Sequence, residues 1–358
     1  EFKLRSEAET LAEVLTSAGI ATAAIVANGN LDPGRGFAQG FDQFESIRDV
    51  RADDYHARAA DINEAIVDWL DRGPGRPFLL YVHTLGPHAP HRPQEPFRSR
   101  FAGGVTDPTL GTNAWQQRIE RSGQAVDAGV VADVTALYDA EVAENDAAFG
   151  EFVDELRGRG LLDETVVVVA ADHGEELFER GGIGHNVHLY EPSVHVPLVV
   201  RFPKGTGPAG QRVTALADLL DLAPTIADVL GARGKGGSDR EVQGRSLLPV
   251  ALGAQGKPAL LARTVWDRPR YALRDERYKF FYDTRTGDER LFDLERDPGE
   301  TRDVGPAEPL RAAYYRQALH AWTLQLARRG PAGAETAELS PEQCENLKSL
   351  GYIQGECR

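Results

Sequence analysis

The chain has 358 residues, room for one large α/β domain and a smaller one, and its 41% hydrophobic and 27% charged content is that of a globular protein, not a disordered one. A formal net charge of -15 argues against broad binding to nucleic-acid backbones, while leaving a small anionic substrate in a local pocket open. No apolar run approaches the roughly 20 residues that span a bilayer, and the only cysteines, Cys344 and Cys357, rule out a zinc-type cysteine cluster. That pair is either two free thiols or one disulfide closing the tail. The chain opens on Glu1 and has no methionine, so its true start and any signal peptide are expected to lie upstream.

Ser6 and Glu9 have capping-box spacing, and Leu11, Ala12, Leu15 and Ala18 form an apolar helical stripe that Gly19 ends. Ile20 to Ala27 then reads as a buried strand, and Gly29 to Phe44 as a loop. A second stripe, Ile62, Ile66, Trp69 and Leu70, stops at Gly73 and is followed by a strand from Pro77 to His83. Pro87, His88, Ala89, Pro90 and His91 come next, in a loop the prolines stiffen. Spacing alone leaves its histidines as solvent-exposed loop residues. Residues 99 to 131 carry no clear period and are expected to form an insertion or lid. Leu137, Val142, Phe149, Phe152 and Leu156 mark a long amphipathic helix ending near Gly158 and Gly160, whose acidic residues read as a solvated face.

That helix leads into Val166 to Val169, four valines without alternation, which fit a strand covered on both faces of a parallel sheet. The strand delivers Asp172, His173, Gly174 and Glu175 into a polar loop at its carboxyl end, the edge where open α/β sheets bind ligands. A carboxylate beside an imidazole can aim at one divalent metal, although by spacing alone such a pair is more often a turn with a surface histidine. Downstream, Val196 to Arg201 is a short strand and Asp218 to Leu230 a helix interrupted by Pro224, with a Gly-rich turn from Gly231 to Gly237. Tyr271 to Arg274, Tyr278 to Tyr282 and Leu291 to Leu294 suggest a small antiparallel meander. A helix from Leu310 to Leu326, a Pro/Gly/Ala linker and a terminal Leu347 to Ile353 segment complete the chain.

The order Asp172-His173-Gly174-Glu175, Gly184-His185-Asn186, Tyr190-Glu191 and Val196-Pro197-Leu198 resembles the sulfatase family of the alkaline-phosphatase-like superfamily. The likeness extends to Thr10 to Glu13, Gly40-Phe41-Asp42, Pro87-His88, Tyr138 to Glu141, Asp221, Pro224 and Thr225, Gly244 to Leu248, and the Asp297-Pro298-Gly299-Glu300 region. Departures are His195 for a usual Arg, Asn186 for Gly, Gly86 for a frequent Asp and His91 for a frequent Tyr; His83 and His91 stay unassigned. The resemblance implies a doubly wound, mostly parallel α/β sheet over residues 1–262, a small antiparallel-sheet-plus-helix subdomain over 263–330, and a tail over 331–358.

It further implies hydrolysis of a small-molecule or glycan sulfate ester at a divalent metal, Ca2+ by expectation for an oxygen-rich site, with Mn2+ and Zn2+ as alternatives. Asp172 and His173 would bind the metal, His88 and His185 would face the substrate oxygens, and Glu175 would stand beside the ligands. A periplasmic or extracellular setting follows from the same likeness. The family's nucleophile, the Cys of Cys-x-Pro-x-Arg or the Ser of Ser-x-Pro-x-Arg oxidised to formylglycine, occurs nowhere in these residues, nor do its metal-binding aspartates of the first strand. The expectation is therefore an amino-terminally truncated chain, inactive by itself. Two other readings stay open: a phosphonate or phosphate ester hydrolase of the same superfamily, and a non-catalytic relative that only binds anionic glycans.

Overall fold

The computed structural model describes residues 2–29, 31–47, 57–75, 77–123, 125–185, 188–232, 244–264, 269–328 and 334–336. Both cysteines, Asn186, residues 233–237 of the glycine-rich turn and the 347–353 segment lie outside the described residues. No helix among the described residues is long and apolar enough to cross a membrane.

A short strand, β1 (Phe2–Leu4), precedes helix α1 (Leu11–Ser17). The capping box forms one turn later than expected. Thr10 Oγ1 accepts from the Glu13 N–H at 3.1 Å, and Glu13 Oε2 accepts from the Thr10 N–H at 2.8 Å. Thr10, unlike Ser6, stands immediately before the apolar stripe and can close the first turn.

Strand β2 (Ala21–Val26) is the centre of a parallel sheet, with β3 (Gln43–Ser46) on one side and β4 (Phe78–His83) on the other. β3 begins at the end of the stretch expected to be loop; its Gln-Phe-Glu-Ser sequence has no apolar face to announce it. The period of two along β4 feeds two cores, Phe78, Leu80 and Val82 facing one and Leu79 the other. Ala23 and Ile25 pack with Ile62, Ile66 and Trp69 of helix α2 (Ala59–Asp71), whereas Leu79 of β4 packs with Leu15 of α1. Helices on both faces make the sheet doubly wound.

Residues 99–131 are largely helical although their sequence shows no clear period: α3 (Phe97–Ala102), α4 (Asn113–Ser122) and the start of α5 (Ala128–Gly158) occupy them. Their buried apolar residues, Ala102, Val105, Leu110 and Trp115, are too sparse to show a helical period, and they pack on Val134 and Leu137 of α5. The far end of α5 supplies Leu156 to the main sheet core.

Strand β5 (Val167–Ala170) follows, then a hairpin of β6 (Glu176–Leu177) and β7 (Ile183–Gly184), the short helix α6 (Glu191–Val194), and β8 (Leu198–Arg201). The valine strand is not covered on both faces. It pairs antiparallel with β8, its valines are only half-buried, and Val199 opposite is 60% exposed. Consecutive valines report a liking for pleated backbone, not the number of layers above it. Helix α7 (Leu222–Val229) is uninterrupted, because Pro224 lies in its first turn, where no N–H partner is lost. The buried Asp221 ahead of it accepts from the Arg245 N–H at 2.8 Å, and Leu247 N–H donates to Thr225 Oγ1 at 2.8 Å, so two distant motifs brace each other. Helix α8 (Leu248–Ala251) follows.

The carboxyl-terminal sheet has four antiparallel strands, β9 (Leu260–Arg263), β10 (Arg270–Arg274), β11 (Tyr278–Asp283) and β12 (Glu289–Asp293), one more than expected. Helix α9 (Pro309–Arg328) covers it, with Tyr315 and Leu319 over Phe280 and Leu291. The final described strand, β13 (Ala334–Thr336), pairs antiparallel with β1.

Two aspartates of this sheet are held below the ordinary carboxylate range, Asp293 by its bidentate bond with Arg277 and Asp283 by Arg270. With folded values depressed, the stability they contribute is fully present above the unfolded value of about 3.9 and is lost as pH falls through the folded value. Urea titrations from pH 6 to pH 2.5, followed by near-UV circular dichroism, are expected to show that acid limb and to show it flattened in Arg277→Met. An unchanged limb in the variant would assign the acid sensitivity elsewhere.

Candidate active site

Three loops at the carboxyl ends of β4 and β5 and after β7 bring together the histidines singled out in the sequence. The His88 ring lies 5.1 Å from His185 and 6.3 Å from His173, and the His173 and His185 rings stack at 4.0 Å. His88, His173 and His185, named from segments up to 97 positions apart, thus occupy one cluster.

The hydrogen bonds of these rings define their tautomers. His173 Nδ1 is 2.9 Å from the Gly174 carbonyl, and His88 Nδ1 is 2.5 Å from the Ala89 carbonyl. A carbonyl only accepts, so in each ring Nδ1 carries the hydrogen and Nε2 faces the remaining chemistry. His185 Nδ1 lies 3.1 Å and 3.2 Å from the two oxygens of Glu175. Burial pushes the Glu175 carboxyl up, but the His185 hydrogen bond and the field of the surrounding imidazoles outweigh it and hold the group below its ordinary value. An ionised Glu175 accepts, so His185 also holds its proton on Nδ1.

The donor chemistry fits a divalent ion. Donor atoms of His173, Glu175 and His185 all lie within 4.8 Å of one another. Asp172 stands apart from that trio, with its side chain 69% exposed, yet its Oδ1 is 3.8 Å from His173 Nε2. Metal–ligand bonds of about 2.0–2.4 Å place two ligands of one ion at such a separation. His173 is therefore common to both donor sets.

Two residues left unassigned in the sequence acquire places. His83 ends β4, with Nδ1 buried and without a hydrogen bond among the described residues; burial lowers its pKa against the opposing field of Asp172. His91 is 4% exposed and bonds through Nδ1 to Glu141 at 2.9 Å, while the Arg92 N–H donates to the other oxygen at 2.6 Å. Glu141 was expected on a solvated face and is instead buried, with its carboxyl pushed up by burial. It clamps the His88 loop onto α5. Gly86 has a steric cause: the amide Nδ2 of Asn145 lies 2.2 Å from where a Cβ would be, so α5 fills the place of a side chain.

Gly174 is constrained in the same way. Its N–H donates to the Ser193 carbonyl at 2.8 Å, and a Cβ there would lie 2.0 Å from the Pro192 carbonyl oxygen. The loop carrying Asp172, His173 and Glu175 therefore rests directly on α6. Glu176, buried on β6, binds His188 Nδ1 at 3.2 Å and supports the hairpin from below.

With this geometry in hand, the model of the sulfatase family matches residues 2–232, and that of the N-sulphoglucosamine sulphohydrolase carboxyl-terminal region matches residues 182–320. Arylsulfatase K of Xenopus laevis is 29% identical over 194 residues, covering 50% of this chain and 35% of that protein. The multifunctional alkaline phosphatase superfamily protein PehA of Trinickia caryophylli is 26% identical over 315 residues, covering 74% of this chain and 59% of its own length. Across such curated relatives the chain spans from 32% to 59% of their length. Among solved structures, one determined in complex with its substrate D-glucosamine-2-N,6-O-disulfate superposes with a TM-score of 0.74 at 20% identity, over 93% of this chain and 85% of the other.

Proposed function

The chain belongs to the sulfatase family, and from that premise we propose that it takes part in hydrolysis of a sulfuric ester, with its imidazole cluster as the metal-holding and leaving-group half of the reaction. The observation that carries this reading is the convergence of His88, His173 and His185 around the ionised Glu175. His173 would hold the ion through Nε2, with Asp172 as its partner and Glu175 and His185 in reach. A bound ion supplies neutralisation of sulfate oxygens and activation of the attacking group. Two imidazoles and carboxylates make a mixed nitrogen and oxygen set, which suits Mn2+ or Zn2+ better than Ca2+.

His88 would deliver a proton to the departing alcohol oxygen from Nε2 in its doubly protonated form, the Ala89 carbonyl holding the Nδ1 hydrogen and so the ring's orientation. His185, oriented by Glu175, would donate from Nε2 to a sulfate oxygen when doubly protonated, with Nδ1 kept on the Glu175 carboxylate. The Glu141 clamp keeps the His88 loop from moving off the site. The covalent nucleophile is not drawn from these residues, which contain no Cys- or Ser-x-Pro-x-Arg sequence. The substrate is a small-molecule or glycan sulfate ester, in a periplasmic or extracellular setting.

Likeness to the multifunctional PehA supports a second reading, hydrolysis of phosphonate or phosphate esters on the same site. Steady-state kinetics of the whole protein on matched aryl esters separates the two. The sulfate ester is expected to exceed the phosphate and phosphonate in kcat/KM by about tenfold or more, some 1.4 kcal/mol of transition-state discrimination. The reverse order would replace the sulfatase reading with the second.

A further inference from the structure

Lys279, in the middle of the carboxyl-terminal sheet, is 1% exposed and carries its ammonium into the interior. Its Nζ lies 2.9 Å from Glu191 Oε1 and 2.9 Å from Glu300 Oε1. Arg274 NH1 binds the other Glu191 oxygen at 2.9 Å, and the Glu191 N–H donates to Glu300 Oε2 at 2.7 Å. Two cations and two carboxylates balance one another. Burying such charges carries a large desolvation cost that their attraction has to offset, and hydrophobic residues of equal volume often stabilise such a place at least as well. Glu300 moreover adopts a left-handed backbone, φ 55°, which a non-glycine residue keeps only where its surroundings over-determine it.

What the cluster grips is the first residue of α6. Both the side chain and the backbone N–H of Glu191 are held, and two residues later the Ser193 carbonyl receives the Gly174 N–H. The contact leaves no slack, since the Pro192 carbonyl fills the space of a Gly174 Cβ. Any shift of α6 must move the peptide between His173 and Glu175. We propose that Lys279 is a positioning residue: through Glu191 and α6 it sets the geometry of the Asp172–Glu175 loop, so that the carboxyl-terminal sheet holds the site in register. The proposal rests on the function proposed above only for what that loop holds.

The test reads the loop without any metal. Amide hydrogen exchange is measured at Gly174 and, for comparison, at Ile25 of β2, in the whole protein and in Lys279→Met. The variant is expected to exchange at Gly174 about tenfold faster or more, with Ile25 within about twofold of wild type, and Lys279→Arg to restore most of the protection. Mn2+ affinity by calorimetry should then fall about tenfold in Lys279→Met. Unchanged Gly174 exchange in the folded variant, or an equal rise at Ile25, would overturn the proposal. Should Lys279→Met not fold, Glu300→Gln carries the test, with Gly174 exchange expected about threefold faster or more and an unchanged rate counting against it. Wild-type protein that binds no Mn2+ would sink the metal assignment while leaving the Gly174 result standing.

Discussion

His173→Ala is expected to weaken binding of Mn2+ or Zn2+ by about 100-fold or more, the largest single effect on the metal among these residues. Loss of a group that merely orients a ligand costs about 10- to 100-fold in affinity, and loss of the ligand itself at least the upper end of that. His173 is singled out because it belongs both to the trio with Glu175 and His185 and, through Nε2, to the 3.8 Å pair with Asp172. Asp172→Ala and Glu175→Gln divide the two sets. If the Asp172 pair holds the ion, the first variant costs the larger share; if the trio does, the second. Calorimetric titration of the folded variants gives the ranking, and wild-type affinity in His173→Ala would remove the site from this loop.

The second large effect is on turnover. His88→Ala in the whole protein is expected to lower kcat on an alkyl sulfate by about 10²- to 10⁴-fold, the range for loss of a positioned proton donor. On 4-nitrophenyl sulfate the fall should be far smaller, because that leaving group departs as a stable anion. The dependence of rate on leaving-group pKa should therefore steepen. The expectation rests on the place of His88, 5.1 Å from His185 with Nδ1 engaged by the Ala89 carbonyl. Equal losses on both esters would mean that His88 shapes the loop and moves no proton.

The candidate site was legible in the sequence to the extent that its residues sit in short ordered motifs. Asp172, His173, His185 and His88 are each flanked by Gly, Pro or a strand of one kind; local spacing alone leaves them as loop and surface residues, and it is the order of these motifs, resembling the sulfatase family, that marks them. What holds them is not legible, because each support crosses the chain: Glu141 meets His91 over 50 positions, and Lys279 meets Glu191 over 88. An acidic residue on a periodic helix reads as solvated unless its partner is known. The fold shows the same limit. The stripes of α1, α2 and α5 have helical period and were readable, whereas α3 and α4 bury only isolated residues such as Ala102 and Trp115. The valines of β5 announce a strand yet say nothing of its antiparallel partner β8.

Glu191 and Glu300 are joined by a hydrogen bond that spans 109 positions, and that separation sets a timetable for synthesis. A ribosome adding about 5–20 residues per second needs roughly 5 to 20 s to pass from one to the other. Throughout that interval the nascent chain already carries the histidines and the acidic loop but not Glu300, and for most of it not the strand with Lys279 either. On the proposed role of Lys279, the imidazole cluster is present early and brought into register late, so a half-made chain is expected to hold ions less tightly than the finished one.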